Sequence, residues 1–173
     1  MQPYDTLLVV DDNPTVLTAI KIALGAYFGK IVTLSKPEQI LLTMIQEPID
    51  AVLLDMNFGP GLNSGQDGLT WLKTILRAHP DIPVILITAY ADINLAVRGL
   101  KNGAADFVTK PWDNEELLRT LKTAIGKSKE IIPLEQIETE HIHRVVEKCH
   151  GNISRAAELL GITRQTLYAK IRK

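Results

Sequence analysis

The sequence predicts a doubly wound α/β domain with a five-stranded parallel sheet, followed by a small domain that is entirely α-helical. Five short apolar runs read as strands, and they alternate with stretches whose apolar residues recur at helical spacing. Strands that alternate with helices form parallel sheets with helices on both faces, because crossover connections are right-handed. After residue 126 the strand-like runs stop, while helical spacing continues to the end.

The composition is that of an ordinary folded protein. The 173 residues are 46% hydrophobic and 23% charged, which suits one main core and a small second unit. The single Cys149 excludes a disulfide framework and suits a reducing compartment. No apolar run reaches the roughly 18 residues of a membrane span, and the first residues lack a signal peptide pattern. We therefore expect a cytoplasmic protein with no membrane partner.

Charge is distributed unevenly between the two predicted domains. Residues 1–126 contain 10 Lys and Arg against 14 Asp and Glu, a net charge of -4. Residues 127–173 contain 9 against 6, a net charge of +3. The predicted organisation is a first domain at 1–126, a linker at 127–133 and a second domain at 134–173. The basic second half is the part expected to approach a polyanion.

The strands of the first domain are predicted from runs rich in Leu, Ile and Val. They are residues 6–10, 30–34, 51–55, 84–87 and 107–109. The third run is the most informative, because it reads as fully buried and yet places the carboxylate of Asp55 at its carboxyl end. Continuous apolar runs of this kind are typical of parallel sheets.

Helices are predicted between the strands from apolar spacing and from the residues at their ends. Pro14 suits a first helical position, and Ser35-Lys36-Pro37-Glu38 has the capping-box pattern. Gly103 supplies a left-handed cap at the end of the fourth helix. The predicted helices begin at Pro14, after the capping-box segment, at about Leu69, after Asp92 and after Asp113.

Polar and charged side chains follow four of the strands at the point where each strand ends. They are Asp11, Asp12, Asp55, Thr88 and Lys110. Since the carboxyl ends of parallel strands lie on one edge of a sheet, where ligands bind in the crevice, we expect these five side chains to converge. Taken singly, the first two could be a helix cap and the other three ordinary turn or loop residues.

Through these residues, at matching strand ends, residues 1–126 resemble the receiver domain of bacterial two-component response regulators. The resemblance is to the nitrogen-regulation (NtrC-like) type, whose fold is flavodoxin-like. It implies that Asp55 accepts a phosphoryl group from a sensor histidine kinase. It also implies a Mg²⁺ site whose ligands are Asp11, Asp12, Asp55 and the main-chain carbonyl of Asn57.

The same resemblance implies that Thr88 hydrogen-bonds the phosphoryl oxygens, that Lys110 neutralises them and that the Lys110-Pro111 bond is cis. Clustered carboxylates raise one another's pKa unless a hard divalent cation lies among them, which favours Mg²⁺. Asp55 needs no general base, because a carboxylate is already deprotonated. Asn57 stands where a phosphatase with an aspartate nucleophile would have a second acid. We therefore expect Mg²⁺-dependent self-phosphorylation from a phosphodonor, slow self-dephosphorylation and no other enzymatic activity.

The loop after Asp55 differs from the receiver pattern, and Phe107 has two possible interpretations. Phe58 replaces the usual Met-Pro region, and the Gly that starts the next helix is delayed to Gly68, so the loop after Asp55 is longer. Phe107 occupies the aromatic position that receivers use, together with Thr88, as a conformational switch. The other interpretation of Phe107 is a plain core aromatic.

Residues 134–173 have the pattern of two short helices joined by a glycine turn, which is a helix-turn-helix. Asn152 is placed to cap the first of these helices, Gly161 makes the turn, and Thr163 caps the last helix. The residues predicted to face inward are Ile142, Val145, Val146, Cys149, Ile153, Ala156, Ala157, Leu160, Leu167 and Ile171.

The segment from Gly151 to Tyr168 is similar to the Fis-type DNA-binding tail of nitrogen-regulation-type activators. The resemblance implies that a helix from Arg164 to Arg172 enters the major groove of double-stranded DNA. The residues expected to face base edges are Arg164, Gln165 and Thr166. The residues expected to meet or support the phosphate contacts are Tyr168, Lys170, Arg172 and Lys173, with Asn152, Arg155 and Thr163.

Full-length activators of this type carry an ATPase domain between receiver and tail. Residues 127–133 are too few for such a domain. Gly126-Lys127-Ser128 is not a phosphate-binding loop, because that motif needs a Gly five residues before its second Gly, where this chain has Leu121. ATP-driven opening of a promoter is therefore excluded for this chain alone.

Together these observations predict a phosphorylation-controlled, DNA-binding transcriptional regulator that forms a homodimer when phosphorylated. The alternative is a phosphorelay or adaptor receiver whose tail only dimerises. Substitution of Arg164 and Thr166 discriminates between the two, because DNA binding is lost only under the first interpretation.

Overall fold

The computed structural model describes residues 6–58, 66–89, 93–130 and 134–171. The chain divides into two compact units, residues 1–129 and 130–173. The division falls slightly later than residue 126, because the last helix of the first unit continues to Ser128. The rest of the predicted linker, residues 131–133, lies outside the described residues. Within the described ranges, no helix combines the length and the apolar character needed to cross a bilayer.

The first unit contains a five-stranded, fully parallel sheet in the order β2-β1-β3-β4-β5. The strands are β1 Thr6–Val10, β2 Lys30–Leu34, β3 Ala51–Asp55, β4 Val84–Ala89 and β5 Asp106–Lys110. Every residue of β1 and β3 is buried, which explains their continuous apolar sequences. The predicted fold class is confirmed. The strand order reverses direction between β1 and β3, where ligands bind in sheets of this kind.

Helices cover both faces of the sheet. They are α1 Pro14–Leu24, a 3-10 turn Pro37–Gln39 leading into α2 Ile40–Gln46, α3 Gln66–Ala78, α4 Ile93–Lys101 and α5 Asn114–Ser128. Buried side chains of α2, α3 and α4 form one core with the sheet, and those of α1 and α5 form the other. Because side chains alternate along a strand, β1 gives Leu8 and Val10 to the first core and Leu7 and Val9 to the second.

The helix ends agree with the sequence patterns at Pro14 and Asp113, but not at Ser35. The capping box predicted there is wrong: the N-cap residue is Lys36, which makes no side-chain capping hydrogen bond. The physical reason is Pro37, which holds the preceding residue in an extended conformation and so makes Lys36 the last residue before the 3-10 turn. Ser35 therefore lies one position too early to cap it.

The helix α3 begins at Gln66, earlier than the predicted start near Leu69. Its first turn contains Gly68, whose presence made the segment read as a loop. The end of α4 is as predicted, since Gly103 has a φ of 101°. The predicted cap of α4, Asp92, lies outside the described residues.

The second unit contains three helices in its described part: α6 Leu134–Lys148, α7 Ile153–Leu160 and α8 Arg164–Ile171. Asn152 caps α7 by accepting a hydrogen bond from the N–H of Arg155 at 3.1 Å. Gly161 ends α7 with a φ of 65°, and Thr163 Oγ1 accepts from the N–H of Thr166 at 3.2 Å. The predicted helix-turn-helix is confirmed. Its core contains Ile142, Cys149, Ala156, Ala157 and Leu167.

Candidate functional site

The strand ends bring the predicted polar residues of the first unit to one edge of the sheet. The parallel register pairs Asp55 of β3 with Ile87 of β4, and Ala89 of β4 with Lys110 of β5. The carboxyl ends of β1, β3, β4 and β5 therefore lie side by side. They carry Asp11, Asp12, Asp55, Thr88 and Lys110.

Three carboxylates lie together at this edge. Oxygen atoms of Asp11, Asp12 and Asp55 lie within 4.8 Å of one another. Asp11 and Asp55 are buried, whereas Asp12 is exposed, so the cluster is open to solvent at Asp12. The main-chain N–H of Asn13 donates to Asp11 Oδ1 at 2.8 Å, and that of Asn57 to Asp55 Oδ2 at 3.1 Å. Carboxylates so arranged can hold a metal ion.

Lys110 links two of these carboxylates. Its Nζ donates to Asp11 Oδ2 and to Asp55 Oδ1, both at 2.7 Å. Burial raises the pKa of Asp55 above its ordinary value, while the hydrogen bond and charge of Lys110 oppose this effect. Burial would lower the pKa of Lys110, but the hydrogen bonds to Asp11 and Asp55 raise it above its ordinary value. The single positive charge of Lys110 is smaller than the negative charge that three carboxylates can carry.

Thr88 carries a buried hydroxyl at the end of β4. Its side chain is 0% exposed, and among the described residues no group hydrogen-bonds to its Oγ1. A buried hydroxyl without a hydrogen bond destabilises a fold by about 1–3 kcal/mol. Within the described part of the structure, the hydroxyl of Thr88 is therefore a buried donor that makes no hydrogen bond.

We expect Thr88→Val to raise the free energy of unfolding by about 1 kcal/mol, because valine has nearly the same shape without the hydroxyl. Urea unfolding followed by circular dichroism measures this change. Valine also favours strands, so Thr109→Val, at the position that pairs with Thr88 on β5, controls for strand propensity. A Thr88→Val protein that is no more stable than the Thr109→Val protein contradicts the prediction.

Two further predicted residues flank the cluster. Phe107 of β5 is half-buried and packs against the core beneath α2, α3 and α4. This packing agrees with a core aromatic, and a role as a switch stays a prediction. Asn57 is half-buried and directs its N–H at Asp55. The Lys110-Pro111 peptide bond is cis, as the resemblance implied.

The start of α8 presents an exposed polar surface in the second unit. Leu167 is fully buried and anchors the helix from its inner face. The residues around it point outward, which is the arrangement that a helix needs to enter a DNA groove. These exposed residues are Thr163, Arg164, Gln165, Thr166 and Tyr168.

Two of the predicted DNA contacts, Lys170 and Arg164, pair with side chains on the other helices of the tail. Lys170 Nζ lies 2.6 Å from Glu138 Oε2 on α6. Arg164 Nη1 donates to Ser154 Oγ on α7 at 3.5 Å. Glu138 could not be identified from the sequence, because the two members of the salt bridge are 32 positions apart and follow no local spacing.

Four further residues are predicted to support DNA binding, and the structure describes two of them, Asn152 and Arg155. The side-chain oxygen of Asn152 caps α7, so this residue has a structural role. The side chain of Arg155 is exposed. Arg172 and Lys173 lie outside the described residues. The contribution of all four to DNA binding stays a prediction.

Each of the two units matches the profile of a known protein family. The profile of the response regulator receiver domain matches residues 7–122. The chain belongs to the response regulator receiver family. A second profile, of the bacterial regulatory protein Fis family, matches residues 133–173 of this response regulator. Only residues 123–132 separate the matches, so no ATPase domain lies between receiver and tail, and the predicted resemblance is confirmed.

Similar proteins are named as regulators. The acid tolerance regulatory protein ActR of Sinorhizobium medicae (strain WSM419) is 32% identical to this response regulator over 170 residues, which are 95% of this chain and 84% of ActR. The DNA-binding transcriptional regulator NtrC of Salmonella typhimurium (strain LT2) is 31% identical over 122 residues, which are 70% of this chain but 25% of NtrC. The similarity to ActR thus spans both units.

Solved receiver structures support the fold of the first unit. The N-terminal signal receiver domain of a response regulator from Bacteroides fragilis is 50% identical with a TM-score of 0.65, and the match covers 70% of this chain and 97% of that one. The receiver domain of NtrX from Brucella abortus is 26% identical with a TM-score of 0.62, over 69% of this chain and 98% of that one. This response regulator therefore has a complete receiver sheet.

Proposed function

We propose that this response regulator accepts a phosphoryl group on Asp55 from a sensor histidine kinase, and that phosphorylation controls DNA binding by the Fis-type tail. The observation that carries the proposal is the pair of 2.7 Å contacts from Lys110 to Asp11 and Asp55, beside a third carboxylate. A carboxylate nucleophile, a fixed cation and a group of hard oxygen ligands are the parts that phosphoryl transfer requires.

In the proposed reaction, a carboxylate oxygen of Asp55 attacks phosphorus. A new P–O bond forms while the bond between phosphorus and the imidazole nitrogen of the kinase phosphohistidine breaks, and the electron pair stays on the imidazole. Lys110, which already contacts Asp55, neutralises the phosphoryl oxygens. Thr88 donates the hydrogen bond that its buried hydroxyl otherwise lacks. Self-phosphorylation and slow self-dephosphorylation are the only enzymatic steps in the proposal.

The donor set fits Mg²⁺. Asp11, Asp12 and Asp55 offer hard oxygen ligands within 4.8 Å of one another, and Mg²⁺ in proteins takes one or two carboxylates together with phosphate oxygens and water. When bound, Mg²⁺ would supply the positive charge that lets a phosphoryl group approach this acidic edge. The main-chain carbonyl of Asn57 is the proposed further ligand.

At the other end of the chain, α8 is proposed to enter the major groove. Arg164, Gln165 and Thr166 would read base edges, and Tyr168 and Lys170 would contact phosphates. A single small helix-turn-helix makes few contacts, so the proposal includes a homodimer whose α8 helices meet half-sites about 34 Å apart. The proposed target is chromosomal DNA, which in bacteria lies in the cytoplasm. We therefore propose that the protein acts there.

Coupling between the ends is proposed to run through Thr88 and Phe107. Their inward movement on phosphorylation would shift a dimer equilibrium toward the DNA-binding form. A shift from mostly inactive to mostly active protein takes on the order of 5 kcal/mol of differential stabilisation.

Incubation with acetyl phosphate and Mg²⁺, followed by peptide mapping in a mass spectrometer, tests the proposal. We expect one phosphoryl group, on Asp55, together with a larger mass in sedimentation and tighter DNA binding. A folded protein that is labelled elsewhere or not at all contradicts the phosphotransfer. If Asp55 is labelled but the mass measured by sedimentation and the affinity for DNA stay unchanged, the result contradicts only the proposed coupling between phosphorylation and DNA binding.

We expect Glu138→Gln to tighten DNA binding roughly threefold to tenfold, because Lys170 becomes free to contact a phosphate. The slope of log affinity against log salt concentration should become steeper by about one. An exposed salt bridge contributes only about 0–1 kcal/mol, so the fold should tolerate its loss. Fluorescence anisotropy with a labelled duplex across a salt series measures both quantities. Glu147→Gln, an equal charge change on the exposed surface of α6, is the control. Equal effects of both variants contradict the prediction.

A further inference from the structure

The main chain just after Asp55 is in direct contact with the first turn of α3. Gly68, in that turn, donates its N–H to the carbonyl oxygen of Met56 at 3.2 Å. A Cβ atom on Gly68 would lie 2.6 Å from the Cα of Met56 and 2.8 Å from its carbonyl oxygen. Real Cβ atoms do not approach main-chain atoms below 3.0 Å. Any side chain at this position must therefore displace either α3 or the main chain of Met56.

Met56 is also held from its other sides. Its side chain is 0% exposed, and its N–H donates to the carbonyl oxygen of Ile87 on β4 at 3.1 Å. The next residue, Asn57, directs its N–H at Asp55 Oδ2 at 3.1 Å. The main chain from Asp55 to Asn57 is thus fixed between β4 and α3. Its position determines where the Asp55 carboxylate and the Asn57 carbonyl lie.

We propose that Gly68 is a positioning residue of the phosphorylation pocket. Because it has no side chain, α3 can pack directly on the main chain of Met56 and hold Asp55 and Asn57 in the arrangement that metal binding needs. The inference rests on the proposed function. It adds to it a residue, Gly68, that affects metal affinity without being a metal ligand. Residues that orient metal ligands typically change metal affinity by about 10- to 100-fold when they are replaced.

Gly68→Ala is the direct test, with Mg²⁺ affinity measured by isothermal titration calorimetry in the absence of any phosphodonor. We expect the affinity to fall by about tenfold or more, because the added methyl group pushes on main-chain atoms that have no free space. This readout separates positioning from stability, since the titration is made under conditions where circular dichroism shows the variant to be folded.

Two other glycines give matched controls. In Gly126→Ala, on α5, the new Cβ meets nothing within 4 Å, so this variant reports the effect of the methyl group alone. In Gly25→Ala, the new Cβ lies 2.7 Å from the carbonyl oxygen of Lys21, at the end of α1 that is far from the acidic cluster. The 11 residues of α1 span about 16 Å. We expect both controls to keep the wild-type affinity for Mg²⁺.

The outcomes separate the two proposals. Wild-type protein that binds Mg²⁺, with unchanged affinity in Gly68→Ala, overturns the inference and leaves the proposed function intact. An equal loss of affinity in Gly25→Ala and Gly68→Ala also overturns it, because the effect would then be general destabilisation. Failure of the wild-type protein to bind Mg²⁺ overturns the proposed function and the inference together.

If Gly68→Ala does not fold, hydrogen exchange of the wild-type protein can measure how metal binding affects the contact between Gly68 and Met56. At a Mg²⁺ concentration ten times the dissociation constant, we expect exchange of the Gly68 N–H to slow by about tenfold, since bound metal stabilises the clamped main chain. The N–H of Gly25, which donates to the carbonyl oxygen of Lys21 at 2.9 Å, should exchange at an unchanged rate. Equal responses at both amides overturn the inference.

Discussion

Asp55→Asn will remove the phosphoryl label, with incorporation from acetyl phosphate falling by more than roughly 1,000-fold, to the background of the assay. An amide is not a nucleophile, and loss of a covalent nucleophile removes the reaction path. The fold should survive, because burial already raises the pKa of Asp55 and so favours a neutral group there. The amide oxygen can still accept the hydrogen bond from Lys110. Mass spectrometry of the intact protein measures the label.

Asp50, just before the amino end of β3, gives the matched control for this substitution. Its carboxylate accepts a hydrogen bond from the N–H of Thr6 at 2.7 Å and pairs with Lys129 Nζ at 2.9 Å. Asp50→Asn should therefore lower the melting temperature without changing the label. Label that persists in Asp55→Asn, or that disappears from folded Asp50→Asn protein, contradicts the assignment of Asp55.

Arg164→Ala combined with Thr166→Ala will strongly weaken sequence-specific DNA binding while the phosphoryl chemistry stays intact. Each contact to a base is worth about 1–3 kcal/mol, so the pair should weaken specific binding by roughly 100-fold or more. The fold should be retained, because both side chains are exposed and the anchor, Leu167, is untouched. Anisotropy with a duplex enriched from a random pool by the phosphorylated wild-type chain measures the affinity.

Arg144→Ala is the control for the loss of positive charge, since Arg144 is exposed on α6. It should weaken binding to all sequences slightly and equally, as a change in net charge does. If the wild-type chain enriches no sequence, or if the double variant binds as tightly as the wild type, the tail does not read DNA. The adaptor interpretation, in which the tail only dimerises, would then replace the regulator.

The sheet and the location of the pocket could be predicted from the sequence, but the contacts inside the pocket could not. Strands β1 and β3 are buried on both faces, so their sequences are apolar throughout and easy to recognise. Parallel topology then brings Asp55 and Lys110 to one edge. The 2.7 Å hydrogen bond between them, across 55 positions, depends on register and on side-chain conformation. The lack of a hydrogen-bond partner for the Thr88 hydroxyl among the described residues also follows from packing alone.

The errors at the helix ends have the same origin. Gln66-Asp67-Gly68 reads as a loop because glycine disfavours helices, whereas contact with Met56 leaves no room for a side chain in that turn. Ser35 fits the capping pattern, but Pro37 moves the cap by one residue. Local patterns report local preferences, whereas the contact of Gly68 with Met56 and the effect of the Pro37 ring depend on the surrounding structure.

The short contacts of Lys110 provide the acidic edge with a tethered counter-ion. An ammonium group on the chain is present at the same local concentration whatever the surrounding solution contains. A divalent ion bound there would share the carboxylates with this ammonium, and its net gain would be the attraction that remains beyond what Lys110 already supplies. The affinity for such an ion would then reflect the difference in attraction between the two cations.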